Sequence, residues 1–144
     1  MKAIKILLIL LSFSFLTSCE LTEEEKLQKI LTCENLFIQQ NIYGGIVGYG
    51  ERKFHLKEGK HETLLIIEPG TDYQTFIRME GKKKLLKLFI KEAFKTNNPG
   101  KKMSNSCLTG VDFEYIFKSG NTTLTLRPDE RTNSIFNQII YEGK

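Results

Sequence analysis

The chain has no tryptophan, only three prolines, only two histidines and only three cysteines among its 144 residues. Each shortage excludes something. His55 and His61 are six apart around "KEGK". No HExxH, paired CxxC or aspartate-rich calcium loop accompanies them, so no metal-ligand set is expected. Both histidines read as surface residues, and no cofactor is implied. Beyond residue 18 the serines are Ser104, Ser106, Ser119 and Ser134, and none stands in a GxSxG elbow. The glycines of "YGGIVGYG", Tyr43 to Gly50, are no phosphate cradle. A dinucleotide loop needs strand, glycines, then helix. Here a helix is expected first and the strand-like "RKFHL" follows, so the stretch reads as a flexible connection or a glycine-containing edge strand. No apolar run reaches the ~20 residues of a spanning helix.

What is present begins with an address. Lys2 and Lys5 precede the apolar run "ILLILLSFSFL", Ile6 to Leu16. A basic start, a short apolar middle and small residues before a cut mark an export signal. "LTSC", Leu16 to Cys19, then resembles the lipobox of bacterial lipoproteins. That resemblance covers residues 1–19 alone. It implies a thioether-linked diacylglycerol on Cys19, cleavage before that residue, and a membrane partner reached through the lipid. Two or more acyl chains anchor stably where one does not, at ~0.8 kcal/mol per buried CH₂. Residues 1–18 would be the cleaved signal, 19–25 a short acidic tether and 26–144 a single domain. Glu20 stands where an aspartate would favour inner-membrane retention by the proteobacterial sorting rule. The lean is therefore towards the outer membrane of a bacterial envelope.

Removal of 18 of the 144 residues leaves 126, enough for one domain with a real core. Lys2 and Lys5 leave with the signal, so 19 basic side chains face 17 acidic ones, a balance of +2. That argues against a general polyanion binder. Lipid on Cys19 leaves Cys33 and Cys107, natural disulfide partners outside the cytoplasm. They would close a loop of 74 residues (107 less 33), a constraint of roughly 4–5 kcal/mol by chain entropy. Two free thiols, or a catalytic Cys107 paired with a histidine, are the alternatives.

Thr22 and Glu25 have capping-box spacing. Leu27, Ile30, Leu31, Phe37 and Ile38 follow at largely helical intervals, which predicts a first helix over Glu23–Gln40. Cys33 would pin that helix to the body. A faint repeat follows at an offset of 50 residues, with Gly70 opposite Gly120. It sets Leu64–Glu68 against Glu114–Lys118 and Thr75–Arg78 against Thr125–Pro128. Leu85, Leu86, Phe89 and Ile90 then match Ile135, Phe136, Ile139 and Ile140. Each half reads as hairpin then helix, with "EPGTD" and "KSGNT" as turns. Pro128, Asp129 and Glu130 suit a helix start. The fold expected is α+β: an N-terminal helix, then an antiparallel sheet of four to five strands with helices on one face and a possible ββα pseudo-repeat.

Asp112 and Glu114 share a face if their segment is a strand, and Glu68 and Asp72 flank a turn. Such pairs could do acid–base work, but salt-bridged or solvated roles are the commoner use. The strongest asymmetry is basic. Arg78 to Lys102 holds nine basic residues against Glu80 and Glu92, a net of +7. At about 100° per residue, Lys84, Lys87, Lys91 and Lys95 form one stripe of a second helix, opposite Leu86, Phe89, Ile90 and Ala93. Leu88 falls inside the stripe. It reads either as a docking surface for an acidic protein or anionic headgroups, or as the solvated outer face of an amphipathic helix. "NTT" at Asn121 matches a glycosylation sequon and is more simply a turn. Export and the lack of stacking motifs argue against a nucleic-acid partner.

The function expected is a lipid-anchored envelope binding module without catalysis, by analogy of size and location an immunity or inhibitor protein. A small envelope enzyme using Cys107 or a carboxylate pair, and a structural envelope lipoprotein, are the alternatives.

Overall fold

A computed structural model describes residues 20–45, 48–103 and 110–141. The elements are α1 (Glu23–Thr32), β1 (Asn35–Gly44), β2 (Gly48–Glu58), β3 (Thr63–Ile67), β4 (Thr75–Arg78), α2 (Lys82–Lys95), β5 (Asp112–Ser119), β6 (Thr122–Leu126) and α3 (Glu130–Tyr141). The fold is α+β, as expected. Its one sheet has six strands rather than four or five, in the order β4-β3-β2-β1-β5-β6, and every pairing is antiparallel.

The extra strand comes from the first helix, which is shorter than expected. The capping box forms as read: Glu25 N donates to Thr22 Oγ1, and Thr22 N to Glu25 Oε2. The helix then stops at Thr32, because Cys33 adopts extended backbone at φ −73°, ψ 148°. Beyond it the burial period changes from helical to two. Leu36, Ile38 and Gln40 point inward while Phe37 lies half exposed between them. β-Branched and aromatic residues at 37, 38, 42 and 43 favour a pleated surface. The glycine stretch closes the hairpin, with Gly44 pairing Gly48. Gly44, Gly45 and Gly48 all have positive φ, which glycine adopts without steric cost.

The two ββα halves are present. β3, β4 and α2 flank the central β1–β2 hairpin on one side; β5, β6 and α3 flank it on the other. The 50-residue offset pairs buried Leu65 with Tyr115, Leu86 with Phe136, Phe89 with Ile139 and Ile90 with Ile140. Gly70 and Gly120 both turn with positive φ. Asp129 Oδ1 accepts from Thr132 N at 2.7 Å and caps α3 where the sequence marks a start.

All three helices bury residues in the same core as the inward row of the sheet. Phe89 stands at its centre, 4.9 Å from both Tyr115 and Phe136 by ring centroids. Aromatic pairs at such spacings add about 0.5–1.5 kcal/mol beyond burial, and Phe136→Ala should cost roughly 3–5 kcal/mol. One polar cluster interrupts the core. Gln40 Nε2 donates to Tyr115 Oη at 2.7 Å, and Tyr115 Oη donates to Asn133 Oδ1. Burial pushes the Tyr115 phenol far up, so it remains a neutral donor.

Candidate functional site

With the helices on one face of the sheet, no helix among the described residues covers the other face. Antiparallel register arranges its side chains in rows that cross the strands. One row runs Phe76, Ile66, His55, Phe37, Lys118, Thr123 from β4 to β6. Phe37 and Phe76 expose 49% and 58% of their surfaces there. The Phe37 ring is stacked on His55. The next row holds Lys53, Gln39, Ile116 and Thr125. Beyond it lie Glu51, Asn41 and Glu114, and then Tyr49, Tyr43 and Asp112. The face therefore grades from apolar to polar along the strands.

The polar end is a closed network. Glu114 is buried on β5 and accepts at Oε1 from Asn41 Nδ2 at 3.0 Å and Tyr43 Oη at 3.3 Å. Its Oε2 accepts from Arg127 Nε at 2.8 Å. Desolvation pushes this carboxyl up, but the bonds from Asn41 and Arg127, with the Arg127 charge, outweigh it and leave it below its ordinary value. Arg127 also donates to the Pro99 carbonyl at 2.8 Å, which ties the α2–β5 connection to the sheet. Asp112 shares the face with Glu114, as the strand reading implied, and pairs with Lys101. Two carboxylates each held by a cation are suited to fixing strands rather than to shuttling protons. Sequence reasoning missed Arg127, Tyr43 and Tyr49; the signal was the "QNIYG" to "GYGE" hairpin, obscured by the helix drawn through Gln40.

Glu68 and Asp72 lie in the β3–β4 connection. Glu68 clasps Lys53 of β2 through both backbone and side chain, and Asp72 is exposed. His55 stands in mid-β2 while His61 is exposed in the β2–β3 turn. No cluster of three metal-ligating residues forms among the described residues. The "NTT" stretch is the β5–β6 turn and the start of β6, as the turn reading expected.

Lys84, Lys87, Leu88, Lys91 and Lys95 are all exposed on α2, on the side opposite buried Leu86, Phe89, Ile90 and Ala93. Leu88 exposes 46% of its surface within the stripe. Only Lys95 of the four lysines has an ion pair among the described residues, with Glu92 at 2.6 Å. The stripe thus points away from the core on the helical side, across the molecule from the open sheet face.

Cys19 and Cys107 lie outside the described residues. Cys33 is a free thiol at the end of α1, its Sγ 3.1 Å from the Ile30 carbonyl oxygen. It shares a recess with Leu36 and Leu56. Asp112 stands at the other end of the ladder, opposite Tyr43. Among the described residues no helix is long and apolar enough to cross a membrane.

No protein-family model matches the chain, and a search of curated proteins finds no match.

Proposed function

We propose that the chain is a lipid-tethered binding module of the bacterial envelope, without catalysis, that meets a protein partner through the open face of its sheet. One observation carries this reading: Phe37, Tyr49 and Phe76 are about half exposed on a single helix-free face. Aromatic residues concentrated on exposed surface are a mark of interaction sites. The neutralised carboxylates of β5 favour binding over an enzyme that uses Asp112 or Glu114. An immunity or inhibitor role fits a small domain with one such face, and rests on that fit alone.

The tether follows from the lipobox resemblance. Glu20, Leu21 and Thr22 alone would separate Cys19 from α1, so the domain would stand close to the bilayer. The lysine stripe on α2, with Leu88 in it, would then meet anionic headgroups, leaving the sheet face turned outward. Glu20, standing where an aspartate would favour inner-membrane retention by the sorting rule, leans the address towards the outer membrane.

A photo-crosslinking amino acid at Phe76 or Tyr49 in living cells tests the binding face. Adducts of defined mass are expected at these positions and none at Gln28 on α1. Absence of adducts at both sheet-face positions would sink the reading. Cys19→Ser should stop lipid labelling; continued labelling would refute the tether.

A further inference from the structure

Within the open face lies a cleft of about 300 Å³ lined by Phe37, Gln39, Lys53, Pro69, Ile116 and Lys118. Its size is at the low end of the ~300–1,000 Å³ of small-molecule pockets, which suits one large side chain. The register explains its composition. Phe37 and Gln39 come from β1, with Lys118 and Ile116 opposite them on β5 and Lys53 opposite Gln39 on β2. The ring of Phe37 and the branched chain of Ile116 give apolar walls. The third wall, Pro69, is held in place by its neighbour. Glu68 N donates to the Lys53 carbonyl at 2.8 Å, and Lys53 N donates to Glu68 Oε1 at 3.2 Å. Glu68 takes a positive φ of 50° to make this clasp, a conformation that non-glycine residues keep only where surroundings enforce it.

The rim is cationic. Lys53 and Lys118 stand on strands either side of β1, two strand spacings or roughly 10 Å apart. Lys53 already meets Glu51 at 2.8 Å. Lys118 is exposed and has no ion pair among the described residues. Lys57, four residues on from Lys53 along β2, adds a third positive charge to the same face. The site thus offers an apolar slot between amines, and its complement is an apolar side chain between carboxylates.

We propose that this cleft binds an acidic segment of a protein partner, seating one aromatic or large aliphatic side chain between Phe37, Pro69 and Ile116 with a carboxylate of the same segment on Lys118. This rests on the open-face reading and names the chemistry of the partner. Opposite charge at the rim would speed encounter and fix register, while the buried side chain would supply the hold.

The test is selection of a random peptide display library on the full chain in mild detergent, followed by affinity measurement of the enriched peptides. Enriched sequences should carry a Phe, Tyr, Trp or Leu within two residues of Asp or Glu. Lys118→Glu should weaken them about tenfold and flatten the loss with salt, since the screened attraction is gone; Phe37→Ala should weaken them at least as much. Lys118 is exposed, so its variant keeps the fold even if Phe37→Ala perturbs the sheet. Peptides without acidic residues, or affinities unmoved by Lys118→Glu, would overturn the proposal. Binding of a dodecanoate probe with no peptide enriched would assign the cleft to an acyl chain and overturn it equally. Crosslinks from Phe76 that persist in either case would show that only the cleft chemistry failed, not the open-face reading.

Discussion

The ring of Phe37 lies on the imidazole of His55, with centroids 3.9 Å apart and planes inclined by 15°. The two residues face each other across β1 and β2. His55 Nε2 is shielded from solvent and has no hydrogen-bond partner among the described residues. Burial, and then the Lys57 charge, hold the imidazole below its ordinary value of 6.5. A depressed histidine stays neutral in the fold while the unfolded chain takes up a proton first. Stability from this site is therefore complete above about pH 6.5 and falls as pH drops from there towards the folded value. Urea midpoints at pH 8 and pH 5.5 should show a loss in the native protein that His55→Leu reduces. Equal losses in both proteins would place the pH sensitivity elsewhere.

Glu114 titrates in the same sense, in a lower pH range. Its folded value lies below the ordinary 4.5, so its contribution is present above that pH and is lost as pH falls through the folded value. Arg127→Met removes the charged partner and leaves a buried carboxylate held by Asn41 and Tyr43 alone. The expected cost near neutrality is about 1–3 kcal/mol, the usual penalty of an unsatisfied buried polar group. Chemical denaturation at pH 7 and pH 3 should show the difference between native and variant shrinking at the lower pH. A difference that holds constant would mean that Arg127 acts through the Pro99 carbonyl instead.

Much of this was legible in the residues, for local reasons. The capping box at Thr22 and Glu25, the start of α3 after Pro128, and the two ββα halves all depend on neighbours in sequence, and the 50-residue offset aligned buried positions correctly. The stretch from Asn35 to Gly44 was not legible. "LFI" satisfies a helical stripe as well as an inward–outward alternation, and a helix already capped at Thr22 extends easily on paper. The break lies in the backbone of Cys33, which no residue type dictates. Phe37 fits a helical core as readily as an outward strand position, so no local signal marks the open face or its cleft. The lysine stripe depends on helical period alone and lies opposite buried Leu86, Phe89, Ile90 and Ala93.

Cys33 supplies a third prediction. Its thiol is free, half-buried and close to the Ile30 carbonyl. It lies at the end of α1, in a recess shared with Leu36 and Leu56. Alkylation of the unreduced protein should therefore modify Cys33 slowly when folded and fully once denatured. Intact mass gives the count of added groups directly. A protein that gains the label at Cys33 only after reduction would establish the disulfide.

The lysine stripe distinguishes a membrane-facing surface from a merely solvated one. Lys84, Lys87, Lys91 and Lys95 project from one side of α2 around exposed Leu88. Each lysine close to an anionic surface contributes ~1 kcal/mol, acting within a Debye length of about 10 Å at 0.1 M salt. Residues 20–144 carry every described element without the lipid. They should sediment with phosphatidylglycerol-rich vesicles at low salt, release at high salt, and ignore phosphatidylcholine. Glutamate at the four lysine positions should abolish the binding, and Leu88→Asp should weaken it. Equal sedimentation of native and variant chains would leave the stripe as the solvated back of a helix. Because the stripe and the open sheet face point in opposite directions, vesicle-bound protein should still bind the acidic peptides of the Phe37 cleft. Competition between vesicles and peptides would show that the two ligands share one surface, and would sink the two-sided arrangement.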